Sequence, residues 1–259
     1  MASRNILSIN NLQKIFSDGQ RANMVLKDIS FDVATGEFIS IYGPNGCGKT
    51  TVLNLIGGID IEYSGNILLD GVKPSTTDSG FVFQNFDDSL FPWMNLLENV
   101  SFGLKMMRVE KFARHEKGMA ALSRMGLADY ASYYPYQVSG GMKQKVCIAR
   151  ALAKDCKLLL LDEPFSALDR NTTIALVEEL ANMLGNNAMT TIMVSHDLDE
   201  AILLSSRIVL FRQAPATVLK IIDVDLQYPR NPSMLVSKRF GEIRSEIISL
   251  GQKEGVFLR

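Results

Sequence analysis

"EFISIYGPNGCGKTTVLNLIGG", Glu37 to Gly58, decides how the rest of the chain is read. Its opening, Glu37 to Tyr42, reads as a buried strand. Its end, Lys49 to Gly58, reads as a helix stopping at Gly57 and Gly58. Between them Gly43, Pro44, Asn45, Gly46, Cys47, Gly48, Lys49 and Thr50 fit the spacing G-x-x-x-x-G-K-[ST], with Thr51 following. Bare backbone lets N–H groups curl around a polyphosphate, and a helix start points its positive end at the same anion. Lys49 supplies a point charge for the β- and γ-phosphates, and the Thr50 hydroxyl is a ligand for Mg²⁺. A strand before and a helix after are the context this loop requires.

Outward from that stretch, the texture is α/β. Upstream, Ile6 to Ile9 and Ile29 to Val33 alternate apolar and polar residues, as N-terminal antiparallel strands do, with "SDGQRAN" as a loop between them. Downstream, "GNILLDG" and "GFVFQ" read as short strands. Leu96–Met107, Glu110–Gly126 and Gly141–Lys154 read as helices of a subdomain inserted at about 86–155. "KLLLLDEP" is a continuous apolar strand of the kind buried in a parallel sheet. Asn171–Leu184 reads as helix, "MTTIMVS" as strand, Leu198–Leu204 as helix and "RIVLF" as strand. The expected fold is a P-loop NTPase core over residues 1–229 with a parallel-dominated sheet. A tail over 230–259 follows, with Val236, Phe240, Ile243, Ile247 and Leu250 at helical spacing. Its apolar stripe is expected to pack on the chain's own core, with docking on a partner as the alternative.

Two further places carry chemistry. Asp162 and Glu163 end the "LLLL" strand, where α/β sheets bind ligands. Asp162 can hold Mg²⁺ and Glu163 can act as a general base on water. His196 stands at another strand end beside Ser195 and Asp197, whereas His115 sits in the charged run "RHEK" and reads as a solvated helix residue. The net charge of −1 gives no reason to expect nucleic acid or an anionic membrane surface as partner. Three cysteines at unrelated spacings fit neither a disulfide framework nor a zinc site and suit a reducing compartment. The N-terminus lacks the pattern of a signal peptide, and no apolar run is long enough to span a bilayer.

"VSGGMKQKVCIARALA", Val138 to Ala153, resembles the signature segment of ABC-type ATPases, usually written LSGGQ. Val138 and Met142 depart from that wording, while Ser139, Gly140 and Gly141 keep it. The resemblance covers about residues 6–229. It implies that Gln84 is the Q-loop glutamine and a Mg²⁺ ligand beside Thr50 and Asp162. It also implies that Ser166–Asp169 is the D-loop with Asp169 near nucleotide, that His196 is the switch histidine, and that Phe16 stacks on adenine. In that family the signature of one copy caps the ATP held by the other. A head-to-tail dimer with two ATPs is therefore implied, in which Glu163, His196 and Gln84 serve hydrolysis.

"LFPWMNLLENVSFGL", "SGGM" and "YPRNPSMLVSKRFGEIRSEI" are similar to the nitrate/sulfonate/taurine branch of bacterial importers. This implies an ATPase subunit on the cytoplasmic face of the cell membrane. Integral permease subunits and a separate solute-binding protein are the implied partners, and a small anionic or pyrimidine-like molecule the implied solute. Phe91, Pro92 and Trp93 are either core residues or part of a grip on the permease. The competing reading is a soluble ABC ATPase acting on a macromolecular assembly. Cys47, within the loop, is expected to confer sensitivity to thiol reagents.

Overall fold

The computed structural model describes residues 4–17, 22–184 and 189–254. The loop expected around "SDGQRAN" falls mostly outside them. In chain order the described elements begin with β1 (Asn5–Ser17), β2 (Ala22–Ala34), β3 (Phe38–Tyr42), α1 (Lys49–Ile56), β4 (Ser64–Leu69) and β5 (Ser79–Val82). The helices α2 (Phe86–Ser89), α3 (Leu96–Met106), α4 (Lys111–Arg124) and α5 (Gly140–Leu152) follow. Then come β6 (Leu158–Asp162), α6 (Arg170–Leu184), β7 (Thr190–Ser195), α7 (Leu198–Leu204), β8 (Arg207–Phe211), β9 (Val218–Asp223) and α8 (Lys238–Lys253). The chain divides into two compact units, residues 1–76 with 177–259, and residues 77–176.

In the first unit β1 lies between β2 and β4, antiparallel to both. Leu7, Ile9 and Leu12 of β1 are buried, as are Ile29, Phe31 and Val33 of β2. Alternation along half-buried strands thus sets one apolar face. Both strands run well beyond the four- and five-residue stretches in which the alternation is clean. Register shifts between Ile9 and Leu12 and between Lys14 and Ile15 break the period there.

The parallel part of this unit is built on β3, flanked by β7 and β8. Ile39, Ile41, Ile192, Val194, Ile208 and Val209 are buried, the near-continuous apolar pattern of strands covered on both faces. Antiparallel β9 completes the edge beside β8. Sequence reading missed β9 because only Ile222 of its six residues is buried, so neither template fits.

The tail helix α8 buries Phe240, Ile243 and Ile247 within this unit and packs on α7. Val236, expected on the same stripe, is 91% exposed. Ser237 explains the correction: its hydroxyl accepts from Phe240 N at 3.3 Å and caps the helix one residue after Val236.

In the second unit β5 and β6 pair in parallel, Val82 opposite Leu161. Helices α3, α4 and α5 pack together beside them. Asn95 and Glu98 form a reciprocal capping box at the start of α3. Buried Asn99 accepts from Phe91 N at 2.8 Å and donates to the carbonyls of Phe91, Met94 and Asn95. It ties the 91–95 turn to α3.

Truncation of Phe240 to Ala is expected to cost about 3 kcal/mol, by lost burial and cavity formation. Val236→Ala should stay within about 0.5 kcal/mol. Urea unfolding of both variants measures the difference.

Candidate functional site

In the first unit, β3 runs into the glycine-rich loop and α1 leaves it. Gly48 is the N-cap of α1, at φ 109°, with no side-chain cap. A Cβ there would lie 2.8 Å from Leu26 Cδ2 and 2.9 Å from Val25 Cγ1. Backbone and packing both demand glycine at this position. Helices α3, α5, α7 and α8 instead start with Asn95, Ser139, Asp197 and Ser237, whose side chains accept first-turn amides. The start of α1 is shaped for an anion in place of such a cap.

Lys49 is 5% exposed, and its Nζ donates to Gly43 O at 2.9 Å and Pro44 O at 3.0 Å. The loop therefore wraps its own cation. Asn45, Gly46 and Thr50 are exposed and Thr51 is half-buried. Cys47 is fully buried, and burial pushes its thiol up although Lys49 pulls the other way. This burial runs against the expected thiol sensitivity, because it disfavours the thiolate and shields the sulfur.

The parallel register Tyr42 opposite Ser195 places His196 just beyond the same sheet edge from which Gly43 starts the loop. His196 is exposed. The Ser195 hydroxyl accepts from Asp197 N at 2.9 Å and donates to Glu200 Oε2 at 2.8 Å.

Phe16, near the end of β1, is 46% exposed. The ammonium of Lys14 lies 4.7 Å from its ring centroid. Lys14 is 3% exposed and donates to Asp60 Oδ1 at 2.9 Å and Glu62 O at 2.6 Å. Burial alone would raise the Asp60 carboxyl, but the Lys14 hydrogen bond and loop amides hold it below its ordinary value. Lys14 escaped sequence reading because a lysine in an alternating strand normally signals the wet face.

In the second unit, Asp162 ends β6 at 4% exposure. Glu163 follows with φ 45°, a left-handed conformation that costs energy for a non-glycine residue. Ser166 N and Oγ donate to Glu163 O at 3.2 and 3.1 Å and fix that turn. Gln84 leaves β5 on the neighbouring strand, and its Nε2 donates to Glu163 Oε2 at 3.0 Å. These two residues are thus brought together by the β5–β6 register.

Ser139 caps α5 by accepting from Met142 N at 3.3 Å. Gly140 and Gly141 form the first turn. A Cβ on Gly141 would lie 2.5 Å from Thr172 Cγ2, so that glycine is required by close approach. Asp169 accepts from Asn171 N and Thr172 N, both at 3.1 Å, and from Thr172 Oγ1 at 2.6 Å. These bonds hold its carboxyl below the ordinary range. Thr172 therefore meets both Gly141 and Asp169. No local motif marks it; only packing reveals it.

The strand-loop-helix phosphate cradle of the first unit defines a P-loop nucleotide-binding α/β protein. The ABC transporter family model matches residues 26–166. An ABC transporter ATP-binding protein of Methanocaldococcus jannaschii is 39% identical over 250 residues, 96% of this chain and 92% of the relative. The aliphatic sulfonates import ATP-binding protein SsuB of Bacillus cereus is 40% identical over 253 residues, 96% of this chain and 97% of that one. Among solved structures, a dimeric ATP-binding cassette in a post-hydrolysis state with ADP and Pi aligns with a TM-score of 0.73 at 30% identity. The alignment covers 85% of this chain and all of the other. The cbiO1 protein of Clostridium perfringens, part of an ABC transporter complex, aligns with a TM-score of 0.77 at 26% identity over 97% and 99% of the two chains. The chain belongs to the ABC transporter ATP-binding family. It is an ATP-hydrolysing enzyme and an ABC transporter ATP-binding subunit.

Burial raises all three thiols, Cys147 to about 11. A disulfide-exchange reagent should therefore label Cys47 and Cys147 slowly at pH 8 in the native protein. Both should react fully in denaturant, and native labelling should accelerate with pH beyond the range of an ordinary thiol.

Proposed function

We propose that this subunit hydrolyses ATP with Mg²⁺ in a head-to-tail pair and thereby powers import of a small anionic solute through a separate permease. The observation that carries the reading is the contact of Gln84 Nε2 with Glu163 Oε2 at 3.0 Å, at the ends of adjoining parallel strands. It holds a carboxylate of strained backbone beside an amide able to orient it, the arrangement wanted for a base acting on water.

The donor set fits Mg²⁺: the Thr50 hydroxyl, the Asp162 carboxylate and the Gln84 amide oxygen are hard oxygen ligands. Among the described residues no cluster of three His, Cys, Asp or Glu side chains could itself hold a metal. ATP phosphate oxygens and water would complete the coordination. The ion supplies charge neutralisation on the phosphates. Lys49 and the loop amides bind the β- and γ-phosphates, and Phe16 stacks on the adenine. Glu163 accepts a proton from the attacking water, and His196 steadies the transferred phosphoryl group. Ser139, Gly140, Gly141 and Asp169 of the other copy close over the nucleotide. One phosphate loop and one signature turn per chain support this pairing, as does the dimeric relative with ADP and Pi.

No described helix is long and apolar enough to cross a membrane, in keeping with a separate permease. Trp93 supports a docking role: it is 69% exposed, with its ring 5.5 Å from that of Phe91. Between α3 and α4 lies a cavity of about 240 Å³ lined by Met94, Leu97, Phe102, Lys105, Arg114 and His115, among others. It suits an amphipathic helix of the permease on the cytoplasmic face. The sulfonate import protein among the relatives supports an anionic solute, and a separate solute-binding protein would deliver it.

Glu163→Gln should bind ATP like the parent, lose at least about 100-fold in hydrolysis, and elute as a dimer with ATP. Normal turnover would remove Glu163 from the role of base. Trp93→Ala should keep the ATPase of the isolated subunit while losing permease from a detergent pull-down. Co-purification of ribosomal or other assembly proteins without a permease would replace transport with a soluble function.

A further inference from the structure

Helix α7, seven residues long, starts directly after His196 and Asp197. Its first turn holds the backbone on both sides of the histidine. Asp197 accepts from Asp199 N at 2.8 Å and Glu200 N at 3.1 Å. Ser195 Oγ donates to Glu200 Oε2. Movement of α7 therefore moves His196.

The far end of α7 is held by the chain that follows β9. The last carbonyls of a helix lack partners within it. Arg230 Nη1 donates to Ile202 O at 3.0 Å and to Ser205 O at 2.7 Å. Tyr228 OH donates to Leu204 O at 3.0 Å. The remaining guanidinium donors reach Val224 O and Leu226 O, so among the described residues the hydrogen bonds from Arg230 end on main-chain carbonyls. Arg230 is 1% exposed, with its guanidinium 4.2 Å from the Tyr228 ring centroid. A cation here complements the negative end of α7. Burying a charge is a poor route to stability alone, and here the hydrogen bonds to main-chain carbonyls fix where the guanidinium sits. From α8, Arg244 Nε meets Asp199 Oδ1 at 2.8 Å on the first turn of α7. Both groups are about half exposed, so the pair adds little stability. It does join the tail helix to the end of α7 that carries the histidine.

We propose that Tyr228, Arg230 and Arg244 are positioning residues for His196: the segment after β9 braces α7 at both ends, and α7 sets the histidine. The inference rests on His196 acting at the γ-phosphate, as proposed above. Loosening the brace displaces the histidine while the phosphate loop, carried by β3 and α1, keeps its shape. Turnover then falls and ATP affinity does not.

The test uses the full chain with Tyr228→Phe and Arg244→Gln, each alone and combined with His196→Ala. Single-turnover hydrolysis and ATP binding are measured, with urea unfolding to confirm a native fold. Each single variant should slow hydrolysis at least about threefold with unchanged ATP affinity. Neither should slow His196→Ala further, and Arg244→Lys should recover the parent rate. Equal slowing in the His196→Ala background, or weakened ATP binding instead of slowed turnover, would reduce these residues to general scaffolding. Parent-like rates in the single variants, with His196→Ala impaired, would overturn the brace and leave the histidine's role standing. A fully active His196→Ala would remove that role and the inference with it.

Discussion

The buried ammonium of Lys49 organises the first unit. Its bonds to Gly43 O and Pro44 O close the loop around a charge that would otherwise be costly to bury. That closure depends on the parallel register of β3, which delivers Gly43 to the sheet edge, and on Gly48, which lets α1 begin at once. A neutral side chain at position 49 would leave two carbonyls without their donor and weaken the loop's attraction for phosphate, leaving only the amides and the start of α1. The preference for an anion is thus built into the fold before any ligand arrives.

The second unit solves a different problem, holding a carboxylate beside an amide at two strand ends. Register does most of it, since β5 and β6 end together and release Gln84 and Glu163 side by side. Strain does the rest. Glu163 stays in a left-handed conformation because Ser166 grips its carbonyl and the Pro164–Phe165 step beneath is buried. Thr172 adds a tie, lying where a side chain on Gly141 would go and bonding the carboxylate of Asp169.

Much of this was legible in the sequence because the loop and the two acidic residues are local patterns whose spacing is dictated by chemistry. The long apolar strands were equally plain, as burial on both faces leaves no polar alternation to confuse. What sequence could not show was set by distant contacts. Lys14 and Arg230 look like surface cations until the carbonyls around them are seen. Strand β9 lies at an edge and carries too little apolar pattern to be found. Val236 keeps the helical spacing of its neighbours, yet the cap at Ser237 excludes it. Cys47 looked reactive by its place in the loop and proved sealed by packing.

Gly48 rests against Leu26 and Val25 of β2, whereas nothing lies within 4 Å of the position a side chain would take at Gly46. The shape of the phosphate loop is therefore partly written some twenty residues upstream, in a strand that touches no phosphate. Over evolutionary drift, bulk at positions 25 and 26 would be more tightly policed than at exposed Asn45 inside the motif itself. Nucleotide affinity could be retuned from β2 with every motif residue left intact.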